Sequence, residues 1–508
     1  MTERNTIRGV GSPGPGQWGP GQRGPGQRGP GQRGPAQRGP GQWGPGQRDA
    51  GQRKGKTAKD GKENAVRRAL LHPVRSLPLA FLAVIVLGTA VLMLPFARTS
   101  EDPEALMNSL FTSVSAVCVT GLITVDTATY WTPFGQAVIM GLIQVGGFGI
   151  MTLATLLALL VRKSIGLRGQ LVAQSETHTL NLGDVRSVLL RVAKLMIGFE
   201  AATATVLTGR FLLGYGQDPG TALWHGAFHA VSSFNNAGFA LYSDNLIGFA
   251  DDPWIIVPIC LAIIGGGLGF PVMIQLLRGD LKAKNWNIHL RLTIYGTLLL
   301  LAVGITLFAA FEWNRDETLG RLSLTGKLLG SLAGGVFPRT AGFNSIDYGA
   351  AAPETLMVTN ILMFIGGGSA GTAGGIKITT FLVLGFSIWN EIRGRDEVTI
   401  GHRSISASSQ RQALSVALLG VGAVVAGTLT LLIFTDYSLE KVLFESISAF
   451  ATVGMSTGIT YNLPPSAEWV LMALMFMGRI GTVTVASALA LASHPKLFRL
   501  PEERPIIG

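Results

Sequence analysis

The chain has 508 residues, 47% of them hydrophobic and only 14% charged, with a formal net charge of +11. Ordinary soluble domains carry about 25% charged residues, so a soluble enzyme or binding module is excluded and an integral membrane protein with a polar extension is indicated. The positive charge does not mark a nucleic-acid surface, because it lies in the first 75 residues and in alternate loops between apolar segments, which is a topology signal.

Residues 1–62 are low in complexity. From Gly14 to Arg48 the pentapeptide GPGQR or GPGQW occurs seven times, with one variant at Ala36. A period of five excludes collagen, which needs glycine at every third residue. So few apolar side chains cannot bury a core, and a disordered cytoplasmic tail is expected. Its basic residues, with Trp18 and Trp43, could attract anionic lipid; a merely solvated tail is the alternative. The stretch 64–75 reads as a short cationic helix at the inner membrane surface. No signal peptide is visible.

Apolar stretches follow at about 77–97, 134–161, 190–213, 254–277, 290–311, 355–390, 411–435 and 468–492. Each approaches or exceeds the roughly 20 residues that cross a bilayer, so eight crossings are expected. Within each pair lies a segment too short to cross: Glu104 to Val117, Thr221 to Phe234, Leu322 to Phe337 and Leu439 to Phe450. Phe234, Phe337 and Phe450 stand just before the loops that end three of them.

Those loops repeat. They read CVTG (Cys118, Val119, Thr120, Gly121), NNAG (Asn235, Asn236, Ala237, Gly238), RTAG (Arg339, Thr340, Ala341, Gly342) and ATVG (Ala451, Thr452, Val453, Gly454). A glycine-rich apolar segment follows each: VGGFG from Val145, GGGLG from Gly265, GGGSAGTAGG from Gly366 and MGRIG from Met477. Such spacing means internal duplication. The units are placed at 63–165, 166–285, 286–400 and 401–495, followed by a cytoplasmic tail at 496–508. The fold class expected is an all-α integral membrane protein: four helix–pore loop–helix repeats, with eight transmembrane helices around one pseudo-fourfold pore.

Lys and Arg set the orientation. The linkers at 162–194 (Arg162, Lys163, Arg168, Arg186, Arg191, Lys194), 278–291 (Arg278, Lys282, Lys284, Arg291) and 391–411 (Arg393, Arg395, Arg403, Arg411) are basic, whereas 214–253 has neither residue. The positive-inside rule then puts both termini in the cytoplasm and brings the glycine loops in from outside.

Non-helical backbone at membrane depth is tolerated only where it lines a water-filled path or is buried in protein. A dehydrated monovalent cation needs a ring of oxygens, which main-chain carbonyls supply. Glycine admits the positive φ such a turn needs. The ion-binding candidates are therefore Cys118, Val119, Thr120 and Gly121; Asn235, Asn236, Ala237 and Gly238; Arg339, Thr340, Ala341 and Gly342; and Thr452, Val453 and Gly454. Two further features lie inside spans. Arg479 is flanked by apolar residues, and an arginine at such depth is functional by default, the alternative being a partner that fixes helix packing. The run Gly366, Gly367, Gly368, Ser369, Ala370, Gly371, Thr372, Ala373, Gly374, Gly375 should break its helix, at about 1 kcal/mol per glycine against alanine. Close helix packing through small residues is the alternative, and it suffices for Gly146 to Gly149 and Gly265 to Gly269.

The ordered set AVCVTGL (Ala116 to Leu122), FNNAGF (Phe234 to Phe239), PRTAGFN (Pro338 to Asn344), GGGSAGTAGGIK (Gly366 to Lys377), FATVGMSTG (Phe450 to Gly458) and MGRIGTVT (Met477 to Thr484) resembles the membrane subunits of the Trk/Ktr/HKT superfamily of potassium transporters. The resemblance covers about residues 75–495 and is closest to the KtrB type, since Trk-type subunits typically carry two more spans. It implies a channel-like potassium uptake subunit in a bacterial plasma membrane. In some plant members serine at the first-loop glycine goes with sodium transport; Gly121 therefore implies potassium selectivity. The resemblance further implies that Arg479 projects into the pore below the filter and that Gly366 to Gly375, with Lys377, form an intramembrane gating loop. It implies a homodimer bound by a cytoplasmic RCK-type nucleotide-binding ring, KtrA-like, so that nucleotide acts only through that partner. K+ is the implied cargo, with Na+ open as a coupling or activating ion.

Other chemistry is poorly supported. Cys118 and Cys260 read as small core residues. His225 and His229 stand at i, i+4 without a third ligand, so polar contacts around the second short helix are expected rather than zinc. The run at Gly366 lacks the GK[ST] ending of a phosphate loop, and no catalytic triad is visible, so no enzyme is expected. An alternating-access cation carrier with broken helices, and a membrane receptor or scaffold without flux, remain alternatives.

Overall fold

The computed structural model describes residues 73–164, 185–277, 286–395, 397–400 and 403–481. The tails at 1–62 and 496–508, most of the 64–75 segment and the later half of the last apolar stretch lie outside the described residues.

The chain is mostly helical. α1 (Pro73–Leu92), α2 (Ala105–Val117) and α3 (Pro133–Ser164) form the first unit. α4 (Val185–Tyr215), α5 (Pro219–Phe234) and the pair α6 (Pro253–Leu268) and α7 (Phe270–Leu277) form the second. α8 (Ile288–Glu312), α9 (Leu324–Val336), α10 (Pro353–Phe364) and α11 (Ile378–Ile392) form the third. α12 (Ala407–Phe434), α13 (Leu439–Phe450) and α14 (Pro465–Phe476), continued by a π-turn over Met477–Gly481, form the fourth. A two-stranded hairpin, Thr399–Ile400 with Arg403–Ser404, joins the last two units.

Local chemistry fixes these boundaries. The helix after each loop begins on a proline: Pro133, Pro253, Pro353 or Pro465. Proline's fixed φ suits the first helical turn, where no N–H partner is needed. Asp218, Asp252, Asn287, Ser323 and Ser406 cap α5, α6, α8, α9 and α12 through side-chain oxygens. These bonds satisfy N–H groups that a helix start leaves free.

The apolar stretch at 254–277, expected as one straight span, is bent by 106° between α6 and α7. The bend falls at Gly269, whose φ is +91°, a conformation a side chain would oppose. The stretch at 355–390 is also two helices, parted by a non-helical run at 365–377. Among the described residues, three helices are long and apolar enough to cross a membrane alone, and the bent pair makes a fourth. Pro78–Leu92 of α1 and Ile378–Ile392 of α11 are shorter apolar helices, α4 carries Arg191, Lys194, Glu200 and Arg210, and α14 is described only to its turn.

The core lies around the four short helices. Phe111, Phe228, Phe337 and Phe444 are wholly buried, as is Phe234, and Phe450 is nearly so. The exposed apolar residues lie mainly on the long helices, Val86, Leu213, Leu298, Leu418 and Ile433 among them, as a lipid-facing surface requires.

Candidate functional site

Each short helix ends in a loop of the same shape. Val119, Asn236, Thr340 and Thr452 take positive φ (56°, 60°, 69° and 50°), and the glycine two residues on does so again: Gly121, Gly238, Gly342 and Gly454 (93°, 74°, 70° and 96°). Non-glycine residues held in this region cost about 1–3 kcal/mol each and persist only where the surroundings dictate them. Four recurrences of one strained turn follow from one repeated environment.

The loops touch in cyclic order. A Cβ built on Gly121 would lie 2.2 Å from the Ala237 carbonyl oxygen, and one on Gly238 2.7 Å from that of Ala341. A Cβ on Gly342 would lie 2.3 Å from the Val453 oxygen, and one on Gly454 2.1 Å from that of Thr120. The fourth loop thus closes on the first. The side chains of Cys118, Val119, Ala237, Ala341 and Val453 join the hydrophobic core, which leaves main-chain oxygens as the chief polar groups of the ring. The hydroxyls of Thr120, Thr340 and Thr452 are buried without a hydrogen-bond partner. Among the described residues these three hydroxyls are left unpaired, which is costly for a buried polar group.

Serines hold the turns, and sequence reasoning missed them. Ser115 Oγ accepts from the Gly121 N–H at 3.0 Å, and Ser448 Oγ from the Gly454 N–H at 3.1 Å. Ser232 Oγ instead donates to the Phe239 carbonyl oxygen at 2.7 Å. All three lie six residues before their loop glycine, a spacing visible in the sequence. Val336 holds that place in the third loop, which is pinned differently. There the Arg339 side chain, 7% exposed, reaches back to the Thr297 carbonyl oxygen at 3.3 Å and that of Gly366 at 3.4 Å. The Arg339 side chain is therefore turned toward α8 and the 365–377 run.

The glycine-rich helices meet the same loops from behind. A Cβ on Gly146, Gly266 or Gly478 would lie 2.1, 1.8 or 1.6 Å from the carbonyl oxygen of Val117, Phe234 or Phe450. Glycine is required at these three sites so that the end of a short helix can seat against a long one.

The run at 365–377 lies against two of the loops. Its neck is closed by Gly366 N–H donating to the Ile376 oxygen at 2.9 Å and Ile376 N–H to that of Phe364 at 3.2 Å. The Thr372 hydroxyl donates to the Phe234 oxygen at 3.2 Å and stands 3.1 Å from the Asn236 carboxamide. A Cβ on Gly374 would lie 1.9 Å from Thr452 Oγ1. The broken pair α6–α7 joins in: Thr372 N–H donates to Gly266 at 3.1 Å, Gly368 N–H to Gly267 at 2.8 Å, and Phe270 N–H to Ala370 at 3.2 Å. Arg479, 2% exposed, donates through Nη1 to the Thr372 oxygen, while its Nε and Nη2 have no hydrogen-bond partner among the described residues. Lys377 Nζ donates to the Ala373 and Gly374 oxygens, and the hydroxyls of Ser369 and Thr379 lie 3.1 Å apart. Arg479 and Lys377 also line one small cavity with Ile150, Ala370, Gly371, Ala373 and Gly374.

Buried acids brace the return segments and were likewise missed. Glu445 accepts from the hydroxyls of Ser456, Thr457 and Thr460 and from the Thr457 N–H. Glu312 accepts from the hydroxyls of Thr318 and Thr355 and the Ala352 N–H. Single acids in an apolar chain give no signal until their donors are known. His229 uses both ring nitrogens, Nδ1 on the His225 oxygen at 2.7 Å and Nε2 on the Leu241 N–H at 3.3 Å. Cys118 and Cys260 are buried and free.

A helical membrane protein in which four strained loops close a ring of carbonyl oxygens is the class these features define. The family model TrkH, described as a cation transport protein, matches residues 54–499. The chain is 37% identical to Ktr system potassium uptake protein B of Bacillus subtilis, over 88% of this chain and 99% of that one. It is 34% identical to the protein of the same name from Vibrio alginolyticus, over 85% and 94%. It is 33% identical to the potassium/sodium uptake protein NtpJ of Enterococcus hirae, over 87% and 98%. The crystal structure of the potassium transporter TrkH from Vibrio parahaemolyticus shares the fold, with a TM-score of 0.62 at 20% identity over 84% of this chain and 86% of that one. The chain belongs to the TrkH family of cation transport proteins; it is a transporter, not an enzyme.

Proposed function

We propose that the chain is the ion-translocating subunit of a potassium uptake system, with one path per chain through the ring of four loops. The observation that carries this is the closed contact of each loop glycine with the next loop's carbonyl oxygen. Replacing a cation's water by such oxygens is how a filter selects. Two relatives that are potassium uptake proteins, from Bacillus subtilis and Vibrio alginolyticus, support it.

The finer reading follows the same geometry. The eight apolar stretches cross the membrane, both termini are cytoplasmic, and the short helices enter from outside with their carbonyl ends, partly negative, toward the ion. The 365–377 run and Arg479 form a gate beneath the ring. An alternating-access carrier would use its broken helices as a substrate site; here the two breaks bond to each other through Gly267–Gly368 and Phe270–Ala370, which favours one gate. A homodimer bound by a cytoplasmic nucleotide-binding ring completes the system. Sodium acts as coupling or activating ion, a role to which the potassium/sodium relative adds support.

The test is rubidium and potassium flux into liposomes holding the purified chain, with and without sodium. Saturable potassium-selective flux that Gly121→Ser opens to sodium is expected. No flux, or an ion preference untouched by Gly121→Ser, overturns the reading.

A further inference from the structure

Behind the second loop lies a buried acid with no part in the path as described. Glu200, midway along α4, is 8% exposed. Its Oε1 accepts from Asn235 Nδ2 at 3.0 Å and its Oε2 from Gln144 Nε2 at 3.0 Å. The two protons of Asn235 Nδ2 are shared with Gln144 Oε1 at 3.1 Å and the Val231 oxygen at 2.9 Å as well. Each carboxyl oxygen lies within hydrogen-bond distance of an amide N–H donor, an arrangement that an ionised carboxylate can use in full.

No Lys, Arg or His among the described residues pairs with this group. Glu445 and Glu312 differ, since hydroxyls and main-chain N–H groups surround each of them. Glu200 has two amides. The site is nevertheless built: a Cβ on Gly147 would lie 1.8 Å from Asn235 Oδ1, so α3 keeps a glycine there to admit the asparagine.

Position makes the charge significant. Asn235 is the C-cap of α5, where the helix dipole is already negative. A carboxylate joined to that end is doubly unfavourable, and a buried charge needs a countercharge. The cation that passes the second loop is a positive charge the path brings to this loop, apart from Arg479 and Lys377, whose recorded side-chain bonds go to oxygens of the 365–377 run.

We propose that Glu200 is a fixed countercharge for the transported ion: it positions Asn235 at the base of the second loop and its negative charge sets the ion affinity of the path. This rests on the reading of the ring as a potassium path.

The experiment is rubidium uptake in potassium-uptake-deficient cells, with KM and Vmax separated, for the full chain, Gly121→Ser, Glu200→Gln, Asn235→Asp and the double Glu200→Gln with Asn235→Asp. Glutamine keeps shape and hydrogen bonding and removes charge. Glu200→Gln is expected to raise KM about fivefold to twentyfold with Vmax nearly unchanged. Asn235→Asp alone sets two carboxylates together and should fail. The double variant moves one charge across the same hydrogen bond and should return KM to within about twofold of the starting value. A KM unmoved by Glu200→Gln, or a double variant no better than Glu200→Gln, overturns the inference. Should Glu200→Gln not reach the membrane, the double variant decides, and its absence too would count against the charge. If the unaltered chain carries no rubidium, or Gly121→Ser leaves selectivity unchanged, the underlying reading falls instead.

Discussion

Arg479, in the turn that ends α14, donates a hydrogen bond to the main-chain oxygen of Thr372, whose own hydroxyl reaches back to the second loop at the Phe234 oxygen. One threonine thus ties the fourth unit, the intramembrane run and the ring. Two of its nitrogens have no hydrogen-bond partner among the described residues, and in the proposed path this guanidinium is a positive charge on the side of the run. Arg479→Ala removes both the tether and the charge. Maximal rubidium uptake should rise several-fold, with KM changed less; an unaltered or lower Vmax in properly folded protein would argue that this arginine serves packing alone.

The ring glycines should be equivalent in kind and unequal in degree. A Cβ meets a carbonyl oxygen at 2.1–2.3 Å from Gly454, Gly121 and Gly342, but at 2.7 Å from Gly238. Alanine at each of the first three is expected to lower the potassium-over-sodium preference at least about tenfold, equivalent to about 1.4 kcal/mol. Gly238→Ala should cost least of the four. Competition uptake with sodium gives the ranking, and a reversed order would contradict the cyclic contact.

Ser115→Ala and Ser448→Ala each leave a buried glycine N–H without its acceptor. Loss of about 1–3 kcal/mol of stability is expected for each, read as a fall in melting temperature in detergent. Potassium should protect these variants less than the unaltered chain. Equal protection would mean that the serines hold the turn without bearing on the ion.

Gly478→Ala puts a Cβ 1.6 Å from the Phe450 oxygen, whereas Gly198 and Gly422 have open space around them. The first should unseat the fourth short helix and abolish folded protein. Gly198→Ala and Gly422→Ala should be neutral or stabilising by up to about 1 kcal/mol, through helix propensity. Thermal unfolding of the three variants side by side checks this.

Burial raises the Asp102 carboxyl, in the loop before α2, but bonds from Tyr130, the Glu104 N–H and Asn108, with the nearby Arg98 charge, lower it more, so that it ends below the usual carboxylate range. Tyr130, whose hydroxyl donates to it, is pushed up to about 12 by burial and by that bond. A depressed carboxyl contributes stability above its unfolded value, which is lost as pH falls through the folded one; a raised phenol loses its contribution as pH climbs from about 10 to about 12. The melting-temperature gap between the unaltered chain and Asp102→Asn should hold across neutral pH and close below about pH 4. A gap independent of pH would mean that Asp102 acts by shape.

The sequence by itself determined the membrane class, the fourfold duplication and the loop glycines, because each is a matter of composition or spacing along the chain. Lipid solvation demands long apolar stretches, and a turn with positive φ demands glycine, whatever the neighbours are. The Phe234, Phe337 and Phe450 anchors were legible for the same reason. The tertiary structure alone decided which oxygen each glycine faces, that Arg339 turns away to Gly366, and that α6 bends by 106° at Gly269 against Ser369 to Gly371. It also brought Glu200, Glu312 and Glu445 to their hydrogen-bond partners. The glycine contacts join loops about a hundred residues or more apart, the others join segments from 6 to 56 residues apart, and a buried polar group declares its role only when its partner is brought to it. The repeat says that four loops exist; only packing says that they close.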